Sequence, residues 1–340
     1  MEVLWLCLVA FTLTGYAVLD GFDLGAGVVH LVTGKNARDK RSIIRSIGPV
    51  WDGNEVWLIA GGGTLFAAFP ALFAAGFSSF YMPLMIALWL LALRALAIEL
   101  QHQSSDTLWL RFWDWTFAGS STLLALIFGA ALANVVRGVP FGEEGVEFVP
   151  LWTDFSLRGA VGVIDGYTLL VGATSVVVLA QHGAAWLGLR LRGEDRTRVL
   201  RSTRRLWPAA TLLALATTAA TFHVQPRALE NVSEVPVLAL FPLLGLAGAL
   251  ALRGWRETRP LHAFLASCAL IVGLLGSAAT ALWPYGLPSS TEVPGLSLAE
   301  SAASEGSLRV MLLWWIPGML VATGYSAYVY TRLPSTDDAH

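Results

Sequence analysis

Seven ionisable side chains stand inside, or at the rim of, long apolar runs in this sequence: Asp20, Asp23, Asp52, Glu55, Glu99, Asp165 and Arg94. Charged groups in such segments are costly, and the default expectation for them is a functional role. Their spacing sharpens the point. Asp20 and Asp23 are three residues apart, as are Asp52 and Glu55, so each pair shares a helix face. Four carboxylates cannot all be charged in a low-dielectric layer beside the single Arg94. Some should hold protons at neutral pH, and a group that holds a proton can pass it on. A proton or cation path is one reading of this cluster. A static salt-bridge network pinning helices together is the other.

The elements that must carry these groups follow from composition. The chain has 340 residues, of which 55% are hydrophobic and only 14% charged. Soluble chains carry about 25% charged residues, and the mean hydropathy here is +0.62. The 33 glycines and 14 tryptophans suit close helix packing and membrane-interface belts. A net charge of −2 supplies no field to recruit nucleic acid. Soluble enzymes, fibres, disordered tails and DNA binders are excluded in favour of a polytopic protein of the lipid bilayer. The first apolar run has no basic residues before it, only Glu2, so it is expected to stay as a helix rather than be cleaved as a signal.

A spanning helix needs about 20 mostly apolar residues. Nine stretches qualify: 3–32, 48–70, 74–100, 116–136, 159–189, 206–224, 235–252, 261–285 and 309–331. The connections after the odd-numbered stretches, with the C-terminal tail, hold 17 of the 22 Lys and Arg residues, mainly at 35–45, 190–205 and 253–259. The other side holds four, Arg137, Arg158, Arg227 and Arg309, and is acidic, with Glu143, Glu144, Glu147 and Asp154 in one loop. By the positive-inside rule the N-terminus is outside and the C-terminus cytoplasmic. Asp20, Asp23, Asp52, Glu55, Arg94 and Glu99 then converge on the cytoplasmic third of the first three helices.

The expected fold class is an all-α polytopic membrane protein with nine transmembrane helices in a single integral-membrane domain, 1–340. A short echo, AVLDGFDLG at 17–25 and VGVIDGYTL at 162–170, suggests two four-helix bundles, 1–136 and 137–285, plus a last helix at 309–331. Gly21 and Gly25, and Gly162 and Gly166, read as GxxxG packing pairs, and Gly61–Gly63 as an interruption of the second helix. Cys7 and Cys268 lie in apolar runs and read as small buried hydrophobes. No metal site is expected. A membrane haem needs axial His or Met ligands at suitable depth, yet His30, His182, His223 and His262 fall near helix ends, His102 in a loop and His340 at the terminus. This chain alone is not expected to hold haem.

The motifs Tyr16–Gly25 (YAVLDGFDLG), Gly48–Ile59 (GPVWDGNEVWLI), Gly62–Pro70, Phe80-Tyr81, RALAIE from Arg94, Gly138–Phe141 (GVPF), Trp283-Pro284 and Pro288–Thr291 (PSST) together resemble subunit II of the cytochrome bd-type quinol oxidases. The similarity covers nearly the whole chain, and the WDGNEVW run is its most specific part. It implies a respiratory complex of the bacterial cytoplasmic membrane that oxidises quinol and reduces O2 to water, electrogenic without pumping. It implies subunit I as partner, carrying most of the ligation of two haems b and one haem d. It admits small accessory membrane subunits and a bound quinone. Asp20, Asp23, Asp52 and Trp57 match family positions. Asp52 is the first choice for the proton path, with Asp20, Asp23, Glu55, Arg94 and Glu99. Trp57, with Trp51 and Asn54, is the expected wall toward the partner and a gas path. Glu55 is Gln in some relatives, the Leu-Gln-His-Gln after Glu99 departs from a commonly basic stretch, and Asp165 has no family counterpart. Two other classes compete: a secondary transporter, which calls for a midplane site in discontinuous helices, and a membrane assembly subunit without chemistry.

Overall fold

The structure, a computed structural model, describes residues 1–142, 145–146, 149–157 and 162–333. Glu143, Glu144, Glu147, Arg158 and His340 lie outside the described residues, as does the start of the 159–189 stretch. Thirteen α-helices are found among the described residues: α1 Glu2–Thr33, α2 Ala37–Ile47, α3 Trp51–Ala68, α4 Pro70–Ser79, α5 Tyr81–Leu100, α6 Thr107–Arg137, α7 Gly166–Arg190, α8 Gly193–Val224, α9 Arg227–Glu234, α10 Leu240–Trp255, α11 Pro260–Leu282, α12 Leu298–Ser301 and α13 Glu305–Arg332. Seven of the helical segments described are long and apolar enough to cross a membrane. The other two long helices, α3 and α8, carry polar first turns, Asp52 to Glu55 in one and a basic run from Arg196 in the other.

Several boundaries differ from those expected. The 74–100 stretch is not one helix. Pro70 pushes Phe69 out of helical geometry (φ −134°, ψ 66°), ending α3, and a second break at Phe80 separates α4 from α5. Helix α6 starts nine residues before the expected 116, because Asp106 caps the backbone N–H groups of Leu108 and Trp109. The triple glycine Gly61–Gly63 does not interrupt α3, which runs through it. Gly162 lies outside α7 and Gly166 is its first residue, so they form no helix-packing pair.

Helix α7 is central, packing on α1, α6, α8 and α11, while α10 pairs with α11. The α1–α7 crossing is set by Gly25 and Gly183: a Cβ on either would collide with backbone atoms of the other helix. Helix α13 leans on α1 and α3 with most of its surface exposed. Trp5 Nε1 donates to the Leu308 carbonyl at 3.3 Å, and Trp315 Nε1 to Thr64 Oγ1 at 3.0 Å. Its exposed Leu313, Trp314, Leu320 and Val321 form an apolar outer face.

The two ends of the bundle differ in kind. One carries the amphipathic α2, which buries Ile43, Ile44 and Ile47, and the basic start of α8, joined by an Arg198–Asp39 ion pair at 2.9 Å. The other carries two short hairpins, β1–β2 (Phe141–Gly142, Gly145–Val146) and β3–β4 (Tyr285–Leu287, Leu296–Ser297), with α9 and α12. There the GVPF and PSST motifs are tied together. Val139 and Ser290 backbone N–H groups donate to Pro288 and Val139 carbonyls, and Thr291 Oγ1 donates to the Phe141 carbonyl at 2.7 Å.

Candidate functional site

Toward the α2 end, four helices deliver polar side chains to one buried cluster. Asp20 and Asp23 from α1 and Arg94 from α5 are 0% exposed, and Asn54 from α3 is 3% exposed. Arg94 Nη2 donates to Asp20 Oδ1 at 2.7 Å and to Glu55 Oε1 at 2.5 Å. Asn54 Nδ2 donates to Asp23 Oδ2 at 2.8 Å and to the Leu19 carbonyl at 3.2 Å. Tyr330 Oη, from the last turn of α13, donates to Asn54 Oδ1 at 2.7 Å. The cluster is therefore two linked units: Asp20–Arg94–Glu55, and Asp23–Asn54–Tyr330.

The i, i+3 spacing in α1 points both aspartates inward. Arg94 reaches them because its neighbours on the same face of α5, Ala87, Leu90, Ala97 and Ile98, are buried against the bundle. Asp20 Oδ2, Asp23 Oδ1, Tyr16 Oη and Arg94 Nε and Nη1 have no protein partner although buried. Buried polar atoms of native proteins are rarely left bare, and ordered water is their usual partner where protein groups are lacking.

Of the residues singled out by sequence, Asp20, Asp23, Glu55, Arg94 and Asn54 come together here. Asp52 and Glu99 do not join them. Both are exposed, on α3 and α5, with no hydrogen bond or ion pair among the described residues. Asp52 shares the α3 surface with exposed Val56 and Ile59. Trp57 is buried across Gly15 of α1, with its ring 5.9 Å from Phe11, and Trp51 packs into the core beside α2 and α7. Asp165 is remote, at the hairpin end of the bundle. It caps the start of α7 in a reciprocal box with Thr168 and pairs with Arg137. The AVLDGFDLG and VGVIDGYTL segments are thus not equivalent: Asp20 sits within a helix and Asp165 before one.

Sequence reasoning missed three partners. Tyr330 lies in the last turn of the final helix, and no local spacing links it to Asn54. A helix start at 116 leaves Asp114 outside the helix. An N-cap reading of Asp106 would have put it in α6, where it binds His30 Nε2 at 2.8 Å and Lys40 Nζ at 2.8 Å. His182 is 0% exposed and ties α7 to α11 and α1, through Ser267 Oγ at 2.7 Å and the Val18 carbonyl at 2.9 Å.

The histidines do not fit an axial haem role. Both ring nitrogens of His182 are engaged, and His30 is committed to Asp114 through Nε2 and packed edge-on to Phe117. His223 and His262 are exposed. Separately, an apolar cavity of about 440 Å³ opens between α1, α6, α7, α8 and α11, with Leu24, Phe128, Val171 and Ile271 in its wall.

Comparisons with known proteins agree along the whole chain. The family model described as cytochrome bd terminal oxidase subunit II matches residues 1–333. The chain is 30% identical to the probable cytochrome oxidase subunit 2 of Haemophilus influenzae, covering 100% of this chain and 96% of that protein. It is also 30% identical to the cytochrome bd-I ubiquinol oxidase subunit 2 of Escherichia coli, covering 98% and 94%. In fold it is similar to a chain of the solved bd oxidase from Geobacillus thermodenitrificans, with a TM-score of 0.77 over 97% of both chains at 18% identity.

Proposed function

The chain belongs to the cytochrome bd terminal oxidase subunit II family and is a multi-pass subunit of a bacterial quinol:O2 oxidoreductase, and on that premise we propose that its own part in the reaction is to conduct protons to the partner that carries the chemistry. Reduction of O2 to water consumes protons. Drawing them from the cytoplasm makes quinol oxidation electrogenic without a pump. The haems that supply the redox chemistry are assigned mainly to subunit I.

The observation that carries this reading is the buried Asp20–Arg94–Glu55 and Asp23–Asn54–Tyr330 cluster, with carboxylate oxygens left free of protein partners. In such a site a carboxyl group can take a proton from water and release it again. A purely structural ion pair tends to satisfy all its lone pairs. We assign Asp52 and Glu99 to the edge of the route, on the α3 and α5 surface facing the partner, with Trp57 and Trp51 as its wall. The nine long helices are read as nine spans in two four-helix groups, 1–136 and 137–285, plus α13. The N-terminus is outside and the α2 end cytoplasmic, as the cation distribution requires. If the chain holds a quinone, the apolar cavity is where its hydrocarbon tail would fit.

The test is oxygen consumption per haem in the purified complex carrying Asp23→Asn. Asparagine keeps the shape and can still accept from Asn54, but it cannot titrate. Normal haem content with turnover slowed roughly 100-fold is the expected result, the scale of a lost proton-transfer group. Near-normal turnover removes the cluster from the mechanism. Loss of assembly instead favours the static network.

A further inference from the structure

A second buried polar group lies nearer the α2 end, outside the cluster above. Lys40 of α2, Asp114 of α6 and His30 of α1 form a chain, with 2.8 Å between Lys40 Nζ and Asp114 Oδ2 and 2.8 Å between Asp114 Oδ1 and His30 Nε2. Side-chain exposure falls along it from 21% at Lys40 to 9% at Asp114 and 0% at His30. The far ring nitrogen, His30 Nδ1, is buried without a partner.

Helix geometry points this chain at the cluster. His30 and Asp23 are seven residues apart on α1, two turns or about 10 Å along one face. Asp114 and Ser121 have the same spacing on α6. Ser121 is fully buried, and its hydroxyl also lacks a partner. It packs on Gly27, where a Cβ would collide with Ser121 Oγ. Gly27 lies between Asp23 and His30 on the same face of α1. His30 Nδ1, Ser121 Oγ and Asp23 Oδ1 are thus three unpartnered buried polar atoms set within two turns of one another along α1 and the α6 residue packed on it, and water is the partner such atoms ordinarily take.

Resting on the proton-route reading above, we propose that Lys40, Asp114, His30 and Ser121 form the cytoplasmic intake that feeds the Asp23 carboxylate. The Asp114 carboxylate takes up a proton from bulk water at the mouth and passes it to His30 Nε2, as His30 releases its Nδ1 proton toward Ser121 and Asp23. One proton arrives as one leaves, so no charge accumulates in the seam. Lys40 holds the mouth of the intake. Of the other charged groups on these elements, Arg111 lies one turn before Asp114 on α6, and Asp39 of α2 is paired with Arg198 of α8, which also pairs with Asp195.

The experiment uses the complete complex carrying Asp114→Asn, Asp114→Glu, Ser121→Ala or the reference Asp23→Asn. Oxygen consumption per haem is measured from pH 6 to pH 9. Asp114→Asn should retain haem and slow turnover about tenfold or more, with the loss growing as protons become scarce at high pH. Asp114→Glu should restore most of the rate. Ser121→Ala removes a hydroxyl that bonds to no protein group, so the protein should fold and still turn over more slowly. Normal turnover in Asp114→Asn or in Ser121→Ala, with Asp23→Asn slow, overturns the intake and leaves the wider reading standing. Equal loss in Asp114→Asn and Asp114→Glu with an unchanged pH profile assigns the group to structure and also overturns it. Normal turnover in all variants, Asp23→Asn included, removes both.

Discussion

Gly25 and Gly183 place the backbones of α1 and α7 in direct contact, five residues from Asp20 and one from His182 in sequence. Any side chain at either position would push the helices apart and move Asp20 and Asp23 relative to their partners. Gly183→Ala is expected to destabilise by more than the usual 1–3 kcal/mol of overpacking, since the obstacle is backbone and cannot rotate away. Thermal unfolding and haem content of the purified complex check this. An unchanged Tm would show that the crossing tolerates separation.

Asp20 and Asp23 should respond differently to amide replacement. Asp20→Asn removes the fully buried carboxylate paired with Arg94 and leaves a buried guanidinium with Glu55 alone. Breaking a buried pair typically costs about 3–5 kcal/mol, so assembly should suffer. Asp23→Asn loses no cation and should assemble. Membrane yields of haem-containing complex for the two variants provide the comparison.

Tyr330→Phe deletes one hydrogen bond to Asn54 while keeping the ring among Phe22 and Trp186. The expected cost is about 1 kcal/mol. Turnover should stay close to wild type, because the phenol does not touch a carboxylate. A large loss of turnover at intact haem content would place Tyr330 in the route itself.

Arg204 of α8 holds the carboxylate of Glu257, in the connection between α10 and α11, below its ordinary pKa through contacts of 2.7 and 2.6 Å. A depressed folded-state pKa stabilises above the ordinary value, and the contribution is lost as pH falls through the folded value. Glu257→Gln should therefore lower Tm slightly at pH 7, and the difference should shrink as the pH is lowered through the carboxylate range. Thermal scans of both proteins across that range give the answer.

Reporter fusions after Arg205 and after Glu300 should report opposite sides of the membrane, as the cation bias demands. Fusions reporting one side would refute the topology.

How much was legible in the sequence varies with the range of the interaction. The nine apolar stretches each contain a long helix, because composition over 20 residues is a strong local signal. Their ends were less legible. Asp106 and Asp114 look like loop until the Asp106 cap is considered, the arginines of α8 look like loop by their charge, and Pro70 ends a helix that hydropathy alone continues. The i, i+3 pairing of Asp20 with Asp23 and the reach of Arg94 were readable from spacing. The removal of Asp52 from the cluster was not, because the face of α3 turned inward is chosen by Asn54 and Trp57 packing on α1. Tyr330 and Asp114 meet their partners across 276 and 84 residues of chain, and no periodicity encodes such distances.

The orientation of one amide has a consequence for the C-terminal helix. The Leu19 carbonyl can only accept, so Asn54 must turn its NH2 toward Leu19 and Asp23 and its oxygen toward Tyr330. An amide so fixed bonds to both neighbours yet cannot receive a proton from one and deliver it to the other. Asn54 is therefore an insulator set between the phenol and the carboxylate. Helix α13, whose outer face is exposed, is fastened to the site mechanically while staying outside its proton circuit.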